Sequence, residues 1–148
     1  MPHAGLMDER LLGPVQGPFQ RARLHMRGGR RRLRQGKIAA GIVTLYDAIE
    51  GGMRAYLADE RNRPHLDVRA HENLNQERTM YAVLVRSGVL DGSFDFTAFD
   101  RLVEQALDRE LPGYDYRELL VSIETLMTQL GVLPFDEASL PPEDPATY

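Results

Sequence analysis

Apolar residues recur at three- and four-residue intervals in five stretches of this chain, and no stretch alternates them at the two-residue period of a strand. That single pattern restricts the chain to an all-α fold. The connections between the stretches are mostly short, so neighbouring helices run antiparallel, and the expected architecture is a single-domain up-and-down bundle of about five helices. At 148 residues the chain suits one domain. A chain of this length buries roughly 68–70% of its unfolded surface, enough for a core without a metal or a disulfide. The boundaries read as an irregular segment 1–14, a helical domain 15–134 and a Pro-rich acidic tail 135–148.

The first helical stretch runs from about Val15 to Gln35, with Phe19, Ala22, Met26, Gly29 and Leu33 on one narrow seam. Gly28 and Gly29 each cost about 1 kcal/mol of helix stability relative to alanine, so they serve a close approach of another helix or they mark a break. Gly36 reads as the stop. The second stretch, Lys37 to Asp59, carries Ile38, Ile42, Leu45, Ile49, Met53 and Tyr56 as one stripe, with Asp47, Glu50 and Arg54 opposite. Asn62 and Pro64 put a loop after it. The third, His71 to Ser87, places Leu74, Tyr81, Leu84 and Val85 together, and Gly88 with Val89 and Leu90 predicts a Schellman ending. The fourth, Phe96 to Leu111, gathers Phe99, Leu102, Val103, Ala106 and Leu107 on one side, with Thr97 to Asp100, or Asp95 alone, as its candidate cap. The fifth opens at Asp115 with Glu118 at capping-box spacing. It continues through Tyr116, Leu119, Leu120, Ile123, Met127 and Leu130 to a stop at Gly131. Asp136 to Tyr148 holds Pro141, Pro142 and Pro145 among four acids. It reads as a flexible tail or as one docked in extended form.

There is no cysteine, which excludes disulfides, thiolate metal sites and cysteine nucleophiles. The absence of disulfides, with no basic-then-apolar leader and no run of 18 apolar residues, leads to the expectation of a cytoplasmic protein without a membrane span. No sequence signal calls for a cofactor.

Charge is distributed unevenly. Residues 1–70 carry 13 basic and 7 acidic groups, net +6, and residues 71–148 carry 5 basic and 15 acidic groups, net −10. The two halves either neutralise each other within the fold, or across a dimer, or leave a basic surface for an acidic ligand. Residues 21–37 concentrate seven Arg and one Lys with no acid. Arg23, Arg27, Arg30, Arg31 and Arg34 fall on about a third of the helix circumference beside the apolar seam. Such a stripe suits a phosphate backbone. It has no interleaved aromatic residues for base stacking, since Phe19 lies on the seam. Arg outnumbers Lys 17 to 1 over the whole chain, so arginine here also reflects a general preference.

A second polar group contains Arg61, Arg63, His65, Asp67, Arg69, His71 and Glu72. Histidine with carboxylates suits metal binding or acid–base chemistry. His71-Glu72-Asn73-Leu74-Asn75 approaches the H-E-x-x-H zinc pattern, but Asn75 stands where the second histidine ligand belongs. No metal ligand set is assigned. Tyr46 and Tyr56 lie on the second stripe and read as core residues with a hydrogen-bonded hydroxyl.

The run Arg30 to Leu57, RRRLRQGKIAAGIVTLYDAIEGGMRAYL, resembles the opening of the HEPN superfamily of small helical domains: a helix ending near Gly, then a helix with small residues and a Tyr, then an apolar end. His71 to Leu90 resembles that family's next helix. Many members are metal-independent ribonucleases, and others bind nucleotides or dimerise as scaffolds. The nucleases carry Arg, four to six residues, then His. Here Arg61 to His65 has three between and Arg63 to His71 seven, so no catalytic residue is carried over. The resemblance therefore implies a non-catalytic, homodimeric member.

Three readings follow. The first is a non-enzymatic helical interaction module that self-associates as a homo-oligomer or takes a protein partner. The second is an RNA- or nucleotide-binding protein using the arginine face, which requires Arg27, Arg30, Arg31 and Arg34 exposed and unpaired. The third is a His-dependent hydrolase or metal protein at His65 and His71.

Overall fold

Five α-helices carry the fold: α1 (Glu9–Arg34), α2 (Ile38–Ala58), α3 (Glu77–Arg86), α4 (Phe96–Asp108) and α5 (Arg117–Gln129). A computed structural model describes residues 9 to 147, and no strand occurs among the described residues. The molecule is the expected all-α, up-and-down bundle. Its centre is α2, on which each of the other four α-helices packs. The stripe on α2 explains this position. Ile38, Ile42, Leu45, Ile49 and Met53 are buried, as are the small residues Ala39, Gly41, Ala48, Gly51, Gly52 and Ala55 between them. A helix apolar on most of its circumference has to be enclosed.

The α1–α2 hairpin is the tightest pairing. The α1 seam Ala22, Met26 and Leu33 is buried against α2. A methyl group on Gly29 would stand 2.6 Å from Leu45 Cδ2, and one on Gly41 2.7 Å from Leu33 Cδ2. Glycine thus lets the two backbones approach, which settles the choice between approach and break at Gly29. Gly36 takes φ +79°. Gly36 N–H donates to Leu33 O (3.0 Å) and Lys37 N–H to Arg32 O (2.9 Å), the two bonds of a Schellman ending.

Several boundaries differ from expectation. Helix α1 begins at Glu9, ahead of Val15, with a break at Gly13 (φ 90°, ψ 170°). Pro14, with its fixed φ, opens the uninterrupted part. Residues 1–8 lie outside the described residues, so only the end of the expected irregular segment can be placed. Helix α3 starts at Glu77, six residues after His71. Local side-chain bonds hold the preceding loop instead: Asn75 N–H donates to Asn73 Oδ1 (3.0 Å) and Arg69 N–H to Glu72 Oε1 (2.8 Å). Asn and Asp compete with the helix in this way. Pro64 lies within a 3₁₀ turn, Glu60–His65. Helix α4 ends at Asp108, three residues early, and Leu107 is 69% exposed although the stripe placed it inside. Of the two caps the sequence offered for α4, Asp95 is the one used, accepting from Ala98 N–H (3.0 Å), and Thr97 lies within the helix. Asp115 does not form a capping box with Glu118. It accepts from Arg117 N–H (3.1 Å) and from the Arg117 guanidinium.

The tail is docked. It makes two 3₁₀ turns, Glu137–Ser139 and Pro145–Thr147, and buries Leu140. Its placement against α1 is the docked one of the two alternatives the sequence left open.

Candidate functional site

The arginine face of α1 meets acids from α5 and the tail. Arg27 is 8% exposed, and its Nε lies 3.1 Å from Glu143 Oε1. Arg31 Nε donates to the other oxygen, Glu143 Oε2, at 2.5 Å. One carboxylate is therefore shared by two guanidinium groups a helical turn apart. Arg30 reaches Glu124 on α5 (3.1 Å) and Glu137 in the tail (3.6 Å). Arg23 stands apart, its guanidinium 4.2 Å over the Phe19 ring and 5.9 Å from that of Phe135. Burial, and then the charge of Arg31, lower the pKa of Arg32, and Glu143 opposes them. Arg34, in the last turn, is exposed. The five arginines do not make the open basic stripe that the second reading requires, because the acidic half of the chain covers three of them.

The second polar group is dispersed. Arg61, Arg63, His65 and His71 are exposed. Arg61 turns back on Asp59, with Nη2 2.7 Å from Oδ2. Glu72 is ion-paired with Arg86 of α3, whose Nη1 lies 3.2 Å from Glu72 Oε2, and Arg86 Nε donates to Asp67 O (3.1 Å). Arg86 first, and then the Arg69 N–H, hold the Glu72 carboxyl below its ordinary range. These bonds fix residues 67–72 onto α3, a structural task. Among the described residues no group of three or more His, Cys, Asp or Glu is placed to hold a metal ion.

A polar network that the motifs did not announce joins α1 to α2. His25 Nδ1 contacts Asp47 Oδ2, Arg21 lies 3.7 Å from Asp47 and 3.5 Å from Glu50, and Arg54 donates to Glu50 (2.9 Å). The only sequence trace is spacing: Arg21 and His25 are four apart, and Asp47, Glu50 and Arg54 share the polar face of α2. Burial raises the Asp47 pKa, but His25 and Arg21 outweigh it and hold the carboxyl below its ordinary value. A carboxyl depressed on folding contributes stability in full above its unfolded pKa, and that contribution is lost as the pH falls through the folded value. The urea midpoint should therefore decline as the pH falls below about 5, and Asp47→Asn should flatten part of that decline. An unchanged pH profile in the variant would contradict this assignment. Tyr46 is half-buried with its ring 5.9 Å from that of Phe99. Burial, with Glu77, Asp100 and Glu50 nearby, pushes its pKa up.

Two open grooves are notable on the described surface. One, of about 720 Å³, is lined by Tyr81, Val85, Phe94 and Phe96, and its arginines Arg78 and Arg86 are ion-paired with Asp100 and with Glu72. The other, of about 600 Å³, runs between the start of α2 and the end of α4. Ala39, Ala40, Val43, Ala106 and Leu107 line it, with Asp108 and Arg109 on its rim. Glu110 closes one end by accepting from Ala39 N–H (2.8 Å), a hydrogen bond to the otherwise uncapped start of α2. No helix among the described residues is long and apolar enough to cross a membrane.

Comparison with family models, with curated proteins and with solved structures finds no match.

Proposed function

We propose that this protein is a non-enzymatic helical interaction module whose first partner is a second copy of itself, joined through the α2–α4 groove. The observation that carries this reading is the composition of that patch. Leu107 projects, 69% exposed, from a bed of Ala39, Ala40, Val43 and Ala106, and the rim carries the opposite charges of Asp108 and Arg109 side by side. A two-fold interface requires a self-complementary surface. An apolar centre with adjacent opposite charges meets that requirement, because Asp108 of each copy then faces Arg109 of the other. Small side chains in the bed leave room for the partner's Leu107. The arginine helix does not compete as an open basic surface, since Glu124, Glu137 and Glu143 already neutralise it. The HEPN-like pattern of Arg30 to Leu57 adds the same expectation of a dimerising, non-catalytic domain, and it includes Ala39, Ala40 and Val43.

Sedimentation velocity tests the reading. The wild-type chain, 16.8 kDa as a monomer, should shift to twice that mass as concentration rises from about 1 µM to about 1 mM. Leu107→Asp should stay monomeric over the same range and should match the melting temperature of wild type at the dilute end, where both are monomers, because the side chain it alters is exposed in the monomer. A wild-type protein that is monomeric throughout defeats the proposal.

A further inference from the structure

We propose that the acidic tail is a releasable strap over an arginine site on α1, and that this site binds a chain of phosphates when the strap lifts. The inference is independent of the dimer reading, since it concerns α1 and the tail instead of α2 and α4.

The site already holds an oxyanion. The Glu143 carboxylate presents one oxygen to Arg27 Nε and the other to Arg31 Nε, and the three side chains are only 13%, 10% and 12% exposed. Charge-assisted pairs of this kind suit a phosphate of a chain as well as a carboxylate, because each internal phosphate likewise presents two charged non-bridging oxygens, and the chain repeats that unit along the row of arginines. The cationic surface is also elongated. Arg27 to Arg34 spans about 10 Å of helix. Arg30 lies between, paired with Glu124 and Glu137. A linear polyanion can satisfy several of these groups together, which a single phosphate cannot.

The strap is attached in a way that permits release. Its described backbone bonds are local, Ser139 N–H to Asp136 O and Leu140 N–H to Glu137 O. Pro141, Pro142 and Pro145 have no N–H to donate. Among the contacts that hold it to the helices are the buried Leu140 side chain, the Phe135 ring packed on the core beside Arg23, and the carboxylates of Glu137 and Glu143. A tethered ligand acts at an effective concentration in the millimolar range. It therefore excludes weak monovalent anions and yields to a multivalent competitor. Phe19 and Phe135 are occupied beside Arg23, so no aromatic platform reads bases, and recognition rests on the phosphates alone. That chemistry is common to inorganic polyphosphate and to an RNA backbone.

The experiment uses the full chain, fluorescent polyphosphate and a labelled mixed-sequence RNA of matched charge. E137Q/E143Q should bind at least one of the two probes about tenfold tighter or more than wild type. The affinity should fall as salt rises from about 50 mM to about 200 mM. Adding R27E/R31E should abolish the gain. Tightening with both probes assigns generic phosphate recognition, and tightening with RNA alone assigns nucleic acid as the source. A measurement on the unaltered protein guards against a variant that folds poorly: saturating polyphosphate or RNA should speed cleavage of the wild-type tail by a Glu-specific protease several-fold. Equal affinities for wild type and E137Q/E143Q, with tail cleavage indifferent to both probes, overturn the proposal.

Discussion

Ile49→Ala should lower the unfolding free energy by about 2–5 kcal/mol. Ile49 is 1% exposed at the middle of α2, the helix on which α1, α3, α4 and α5 all pack. Its truncation removes apolar surface and leaves a cavity. The surroundings cannot collapse into that cavity from one side without disturbing packing on the others, which places the cost toward the upper part of the range. Ile123, fully buried on α5, should cost within the same range when cut to alanine. Urea unfolding at constant slope measures both. A midpoint within experimental error of wild type for either variant would mean that its side chain is not enclosed as described.

The second large effect is at Gly51, where alanine should destabilise despite improving helix propensity. A Cβ there would stand 2.8 Å from the Pro18 carbonyl oxygen and 3.3 Å from Ala22 N, both backbone atoms of α1. Backbone cannot step aside as a side chain does, so the α1–α2 hairpin has to open. Overpacking of this kind costs about 1–3 kcal/mol or more, against a propensity gain of about 1 kcal/mol. Gly28 supplies the control. Its Cβ would meet the far end of Arg32, Nη1 at 2.9 Å, a group that can swing away. Gly28→Ala should therefore be neutral or stabilising by up to about 1 kcal/mol. The two urea midpoints should move apart, Gly51→Ala downward and Gly28→Ala level or upward. Movement of both in the same upward direction would show that the helices are not in backbone contact at Gly51.

The bundle was legible because burial writes itself into the sequence at the helical period. Ile38 to Met53 on α2 and Ala22 to Leu33 on α1 stand inside where their spacing put them. The failures occur where local chemistry competes with that period. Around Asn73 and Asn75 the side chains bond their own backbone, and α3 loses six residues. At Leu107 the stripe continues over Ala39, Ala40 and Val43 of α2, which leave it 69% exposed, and periodicity alone does not register a missing partner. The charge asymmetry between the halves was visible as a sum, but pairing is a matter of three-dimensional reach. Nothing in the spacing of Glu124, Glu137 and Glu143 showed that they converge on Arg27, Arg30 and Arg31. The His25–Asp47 contact was equally silent, since 22 residues and a helix reversal separate the two.

Self-association through a self-complementary rim is tested most directly by mixing two charge reversals and weighing the products by native mass spectrometry. Asp108→Arg places like charges opposite Arg109 in a two-fold pair, and Arg109→Asp places like charges opposite Asp108, so each variant alone should be monomeric. In an equimolar mixture the two are complementary, and a mixed dimer should form with no dimer of either variant. Dimers of either variant alone, or monomers only in the mixture beside a dimeric wild type, would contradict this interface.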